Sequence, residues 1–176
     1  MRRQRAAVGT TVFFVVGPGS VIGLVPWLLT GGWQLRKPLP YWAPMRVIGV
    51  ILLAAGLIAL IQAFARFVVE GFGTPVPIAA PERLVVGGLY RYVRNPMYVA
   101  ALAIIVGQAL ALGQLGLLIY AVALWLITAT FVRWYEEPTL TRRFGADYEA
   151  YRRTVPAWWP RLRPWKLSDR DEPGAG

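Results

Sequence analysis

Two clusters of side chains in this 176-residue chain have the types and spacing for chemistry. The first is Gly87-Gly-Leu-Tyr-Arg-Tyr-Val-Arg-Asn-Pro-Met-Tyr98. Its glycines allow close approach of backbone to a ligand, and Arg91 and Arg94 offer guanidinium forks that match a carboxylate. Asn95-Pro96 fits a helix start, with Asn95 as cap and Pro96 in the first turn. A helix N-terminus also attracts anions. An interfacial loop anchored by aromatic and Arg side chains accounts for the same residues. The second cluster is Trp134-Tyr-Glu-Glu-Pro138. Adjacent carboxylates beside a long apolar run are costly unless partnered. Successive helical residues point about 100° apart. One of Glu136 and Glu137 can therefore face inward, suited to hydroxyl or ammonium groups, while the other faces Arg or water. The alternative is a pair of interfacial acids bridged to Arg133 or Arg94.

Composition narrows what these clusters can do. The chain has no Cys and no His. That excludes a disulfide framework, thiolate and imidazole metal sites, haem ligation by His, and nucleophile triads built on His. No metal is expected. Apolar residues reach 56% and charged residues only 16%, against about 45–50% and about 25% in soluble domains. The mean hydropathy is +0.46. These values predict an integral membrane protein. The net charge of +10 comes from 19 Lys and Arg against 9 Asp and Glu. The basic residues flank apolar runs, so anionic lipid headgroups are the expected partner and nucleic acid is not.

The expected fold is all-α, an integral membrane bundle of about four transmembrane helices. The first apolar run, Ala6 to Leu29, follows Arg2, Arg3 and Arg5 and is loosened by Gly17-Pro18-Gly19 and Pro26. It is long for a signal peptide and lacks a small-residue cleavage site, so it reads as a span. A loop with Trp33, Tyr41 and Trp42 leads to a second run, Arg46 to Val69. Residues 70–96 carry too many Pro and Gly for a long helix. Met97 to Val132 has no charged residue. As one helix it would exceed a hydrocarbon core of about 30 Å. Gly113-Gln-Leu-Gly116 can turn it into a tight hairpin, about Met97–Leu112 and Leu117–Tyr135. Beyond it, Leu140, Phe144, Tyr148, Tyr151 and Val155 recur at helical spacing opposite Arg142, Arg143, Arg152 and Arg153. That predicts a basic amphipathic helix on the membrane surface, followed by an aromatic anchor at Val155–Pro160. Its tyrosines could also face inward as part of a lid. Only Arg36, Lys37 and Arg46 fall on one side of this topology, and the other Lys and Arg fall on the opposite side. Both termini and both clusters are therefore expected to be cytoplasmic. The chain reads as a single domain over 1–167, with two N-terminal spans over 1–69 and a ligand-binding core over 70–167. A disordered tail covers 168–176.

Leu84-Val-Val-Gly-Gly-Leu-Tyr-Arg-Tyr-Val-Arg-Asn-Pro-Met-Tyr98 resembles the signature of the isoprenylcysteine carboxyl methyltransferase family, roughly Leu-Val-x-x-Gly-x-Tyr-x-x-x-Arg-His-Pro-x-Tyr. Glu136-Glu137, Phe144-Gly145, Tyr148, Tyr151 and Val155-Pro156 are similar to its C-terminal block. Asn-Pro-Met-Tyr followed by Tyr-Glu-Glu-Pro is also similar to the related phospholipid N-methyltransferases. The resemblance implies a membrane-embedded, metal-free methyltransferase that uses S-adenosylmethionine on a lipophilic acceptor from the bilayer. By position it implies that Glu82, Arg83, Leu84 and Val85 border the cofactor and that Tyr90 packs on it. Arg94, Asn95, Pro96, Met97 and Tyr98 would contact it, and Glu137, with Glu136 as the alternative, would hold its polar end. Arg133 would orient the acceptor, and Glu136, a Tyr or water would take the proton of an amine. The family's His is Asn95 here, which cannot titrate near neutral pH. The acceptor atom stays open between a carboxylate oxygen, an amine nitrogen and another lipophilic nucleophile. Two other readings remain: a sterol-reductase-like enzyme using NADPH, and a membrane protein without catalysis. Cofactor affinity separates the three.

Overall fold

A computed structural model describes residues 16–71 and 84–165. Every regular element among them is helical. They are α1 (Val16–Leu29), α2 (Ala43–Gly71), α3 (Pro96–Leu112), α4 (Gly116–Phe131), α5 (Glu137–Phe144) and α6 (Ala146–Thr154). Two stretches are long and apolar enough to cross a membrane, Ala43–Glu70 and Gly116–Phe144, the second continuing through a π-helical turn, Val132–Glu136. Val47, Ile51, Ile58 and Ile61 on α2, and Ile119, Val122 and Ile127 on α4, are exposed, as expected of surfaces that meet lipid. The chain divides into two compact units, Met1–Ile61 with Met97–Phe131 and Gln62–Pro96 with Val132–Gly176.

The first unit is built from close helix contact and fully used backbone groups. Ile105 and Ala109 of α3 pack on Leu117 and Ala121 of α4, and Leu60 of α2 packs on Ala100 and Ile104. Gly49 and Gly107 let α2 and α3 touch at the backbone. A methyl group on Gly107 would lie 2.6 Å from the Leu53 nitrogen, closer than packed atoms tolerate. The last turn of α3 leaves four carbonyls without helical donors, and each finds one. The Gln114 and Arg36 backbone nitrogens donate to Ala109 and Leu112 at 2.9 and 2.7 Å. Trp42 Nε1 donates to Leu110 at 2.8 Å, and Arg46 Nε to Ala111 at 3.0 Å.

Gly17-Pro18-Gly19 and Pro26 loosen α1 in a defined way. Residues Ser20–Leu24 form a π turn, in which Val25 N–H donates to Ser20. Pro26 has no N–H to give. The carbonyls of Val21 and Ile22 are therefore released, and Tyr120 Oη and Gln108 Nε2 donate to them at 2.9 and 2.7 Å. Neighbouring helices re-satisfy broken helical bonds in this way where water is absent.

The second unit differs from the expectation of one long surface helix. Gly145, at φ +53°, splits the stretch into α5 and α6. The apolar stripe is also covered by protein. Tyr148, Tyr151, Val155 and Trp165 are buried together, with Leu84, Val86, Leu140 and Phe144 packed against them. The stripe expected to lie on lipid thus forms this unit's core. The 168–176 tail, residues 72–83 and the first run before Val16 lie outside the described residues.

Candidate active site

The first cluster is shaped by a short 3₁₀ turn, Gly88–Arg91, entered through Gly87. Gly88 has φ +54°, a conformation that glycine adopts without strain. Gly87 N–H donates to Glu70 Oε2 at 2.9 Å, and Glu70 is itself held by Arg66 at 3.1 Å. A methyl group on Gly87 would overlap the Glu70 carboxylate, so this glycine permits a contact as well as a turn.

A strap running from Val155 to Trp165 clasps the far side of the turn. Arg94 N–H donates to Pro156, Arg161 N–H to Tyr92 and Trp165 N–H to Arg91, each at 2.9 Å. Asn95 Nδ2 donates to Ala157 at 3.1 Å and Arg91 Nε to Trp165 at 2.7 Å. Tyr151 Oη donates to the Tyr90 carbonyl at 2.6 Å. Arg91, offered by the sequence as a fork for a ligand carboxylate, thus has its Nε on the strap. Asn95, 7% exposed, gives its amide to the same strap.

Arg94 joins the two clusters. Its Nη1 donates to Glu137 Oε1 at 2.7 Å and to Tyr148 Oη at 3.2 Å. The Arg94 side chain is 12% exposed and that of Glu137 8%. Glu137 is the one buried acid among the described residues. Glu137 thus faces inward and is bridged to Arg94, while Glu136 is half-buried. Arg94 Nε is buried with no hydrogen-bond partner. Burial pushes the Tyr148 phenol up to about 12, with Arg94 lowering it and Glu137 raising it by lesser amounts. Burial raises Tyr151 as well. Both rings stay protonated at neutral pH, so neither serves as a base there.

Glu137 also stands on the wall of a cleft. Glu137, Arg133, Arg152, Arg142 and Thr141 line a cleft of about 660 Å³, with Trp134 also on its wall. It is an open depression rather than an enclosed cavity. Glu137 Oε2 lies 3.7 Å from Arg133 and 3.8 Å from Arg152, and Glu149 lies 3.7 Å from Arg152.

Of the residues named from the resemblance, Val85, Tyr90, Arg94, Asn95, Pro96 and Glu137 stand in this unit, each buried or nearly so. Leu84 packs on its core. Arg133 is exposed on the cleft wall. Met97 and Tyr98 belong to the other unit, where Met97 packs against Leu60, Ala100 and Ile104. Glu82 and Arg83 lie outside the described residues. Sequence reasoning missed Glu70, the strap, and Arg142 and Arg152 as cleft residues. The i, i+3 pair Glu149–Arg152 was the available signal for the last.

The phospholipid methyltransferase family profile matches residues 44–147, which include both clusters and every residue of the cleft up to Arg142. The chain belongs to the phospholipid methyltransferase family. It is also 36% identical over 78 residues to Protein-S-isoprenylcysteine O-methyltransferase of Schizosaccharomyces pombe. That match covers 44% of this chain and 33% of the relative, so it spans a third of the relative's length. No solved structure matches the chain.

Proposed function

We propose that the protein is a membrane-embedded methyltransferase that uses S-adenosylmethionine to methylate a lipophilic acceptor. The observation that carries this reading is the buried Arg94–Glu137 pair. It ties the signature turn to the C-terminal block, and the wall of an open cleft begins at its acid. Family membership supports the chemistry. The residues suit the cofactor: the orphaned Arg94 Nε offers a buried N–H donor, and Glu137 offers carboxylate oxygens for hydroxyl or ammonium groups. Leu84, Val85, Tyr90, Asn95 and Pro96 would border it with Glu82 and Arg83, and Glu137 would hold its polar end. Met97 and Tyr98, which the resemblance also implies, belong to the other unit.

Bound S-adenosylmethionine would supply a methyl group on a positive sulfur, which leaves as a neutral thioether when the methyl passes to a nucleophile. The chain's own residues position and desolvate. Low polarity favours a reaction in which opposite charges cancel. A carboxylate acceptor needs no base. An amine acceptor must shed a proton, and Glu136 is the proposed taker, because Asn95 cannot titrate and Tyr148 holds its proton. Arg133, on the cleft wall, would orient the acceptor.

The finer architecture belongs to the same proposal. Four spans, with α3 and α4 as a hairpin and both termini cytoplasmic, put the polar unit on the side where a water-soluble cofactor is available. The acceptor would arrive laterally from the bilayer, and anionic headgroups would meet the basic surface. One catalytic domain would cover 1–167. The direct test is incubation of the purified protein with methyl-labelled S-adenosylmethionine and total membrane lipid, with mass analysis of labelled products. A labelled lipid supports the reading. Tight NADPH binding without S-adenosylmethionine binding would overturn it.

A further inference from the structure

Glu70 stands where the energetics of its own helix would not put it. It lies in the last turn of α2, where a carboxylate meets the negative end of the helix dipole. Its partner Arg66 precedes it by four residues, and at this spacing the stabilising order is acid first, base second. What Glu70 gains lies outside the helix. Gly87 N–H donates to its Oε2 at 2.9 Å, while Arg66 Nη1 donates to its Oε1 at 3.1 Å. Bonds to an ionised acceptor are the strong ones. The turn is built to receive this acid. Gly87 has φ −89° and ψ 167°, extended backbone open to any residue, so its dihedrals do not explain a glycine. The space does, because a methyl group there would overlap the Glu70 carboxylate. At Gly88 a methyl group would lie 3.0 Å from Arg66 Cγ. Both glycines thus make room for the Arg66–Glu70 pair. Glu70 holds the entry of the turn, and the strap holds its exit at Arg91, Tyr92 and Arg94.

We infer that Glu70 is a positioning residue for the cofactor, acting through the Gly87 N–H to fix the turn that carries Tyr90. The inference rests on the methyltransferase reading, which gives this turn to S-adenosylmethionine. It adds that Gly87 is a glycine for the sake of Glu70 and not for close approach of a ligand. Losing the carboxylate and filling its space with a methyl group at position 87 are then two routes to one defect. Their effects must overlap and not add, as they do for groups that act through a single contact.

Affinity and amide exchange test this in the full chain in neutral detergent. S-adenosylmethionine is titrated calorimetrically into the unaltered protein, Glu70→Ala, Gly87→Ala and the double variant, with thermal midpoints measured alongside. Each single variant should bind at least fivefold more weakly per folded molecule. The double variant should match Glu70→Ala within twofold, because a methyl group at position 87 has no carboxylate left to displace. Glu70→Gln keeps an oxygen for the Gly87 N–H and should fall between Glu70→Ala and the unaltered protein. Amide hydrogen exchange at Gly87, followed by NMR without cofactor, should be at least tenfold faster in Glu70→Ala, since a lost hydrogen bond lowers protection. The anchor is overturned if that exchange is unchanged. It is overturned equally if Glu70→Ala lowers the thermal midpoint and leaves affinity alone, which is all that a structural role would do. A Gly87→Ala loss of the same size with and without Glu70 would also overturn it and return that glycine to the ligand, as would Glu70→Gln binding as weakly as Glu70→Ala. Should Glu70→Ala fail to fold, Gly87→Ala carries both readouts, because it expels the same carboxylate. Faster exchange at position 87 in a protein with no S-adenosylmethionine affinity would sink the methyltransferase reading, and the cofactor role with it, while the anchor itself stands.

Discussion

The two compact units spend their polar side chains differently. In the first, Gln108, Tyr120, Trp42 and Arg46 each donate to a backbone carbonyl that a helix break or helix end has released. In the second, Arg94, Glu137 and Tyr148 hold one another, and Arg133 and Arg152 keep donors beyond their own acids. An apolar unit cannot leave backbone groups to water, so its few polar residues repair the backbone. The charged unit has groups to spare next to a cleft. The proposed binding role therefore rests on the second unit, and the polar residues of the first are explained without one.

The comparison breaks most visibly at Arg94. Arg94→Ala removes the one hydrogen-bonded partner of the buried Glu137 and leaves it only the longer ion pairs with Arg133 and Arg152, which should cost about 2–3 kcal/mol, read as a fall in the thermal midpoint of the purified protein. A change under 1 kcal/mol would mean that the pair is not buried as described. In the first unit, Gly107→Leu forces a side chain into the α2–α3 backbone contact. Overpacking of this kind costs about 1–3 kcal/mol and should leave S-adenosylmethionine affinity per folded molecule unchanged. Gln108→Leu should be milder, about 1 kcal/mol or less. It strands the Ile22 carbonyl, a loss of the order of one hydrogen bond, but removes the buried Gln108 Oε1, which has no partner.

Alkaline titration sharpens the contrast. Tyr148 is neutral in the folded protein up to about 12, above the ordinary value near 10. The unfolded chain releases this proton first, so the Tyr148 contribution to stability is intact below about pH 10 and is lost as pH rises toward 12. Tyr148→Phe should flatten this part of the stability profile. An unaltered profile would contradict the burial of that ring.

What the sequence made legible follows from where its signals are local. Pro96 and Gly113 bracket α3 because one residue type suits a first turn and the other suits a positive φ after the last. The apolar period 140–144–148–151–155 marked a buried face correctly as a face. It misled on what covers it, because a stripe of Tyr, Phe and Val is the same whether lipid or protein lies opposite. Gly145 was visible as a breaker, but the period ran through it. The first half of the strap was read as an aromatic anchor and its clasp escaped notice, because Pro156 to Trp165 has no period at all and its hold on Arg91, Tyr92 and Arg94 is made largely by backbone groups common to every residue. The carboxylate pair was legible as a chemical oddity at a span's end. Which acid turns inward depends on Arg94, more than forty residues away.

The central claim is that Glu137 is the acid on which cofactor binding depends. Glu137→Gln keeps an oxygen for Arg94 and removes the charge, so the fold can be compared directly by thermal midpoint. Calorimetric titration of S-adenosylmethionine into the folded variant and the unaltered protein is the decisive measurement. The account predicts binding to the unaltered protein and at least a tenfold loss in the variant. Equal affinity in the two would contradict it.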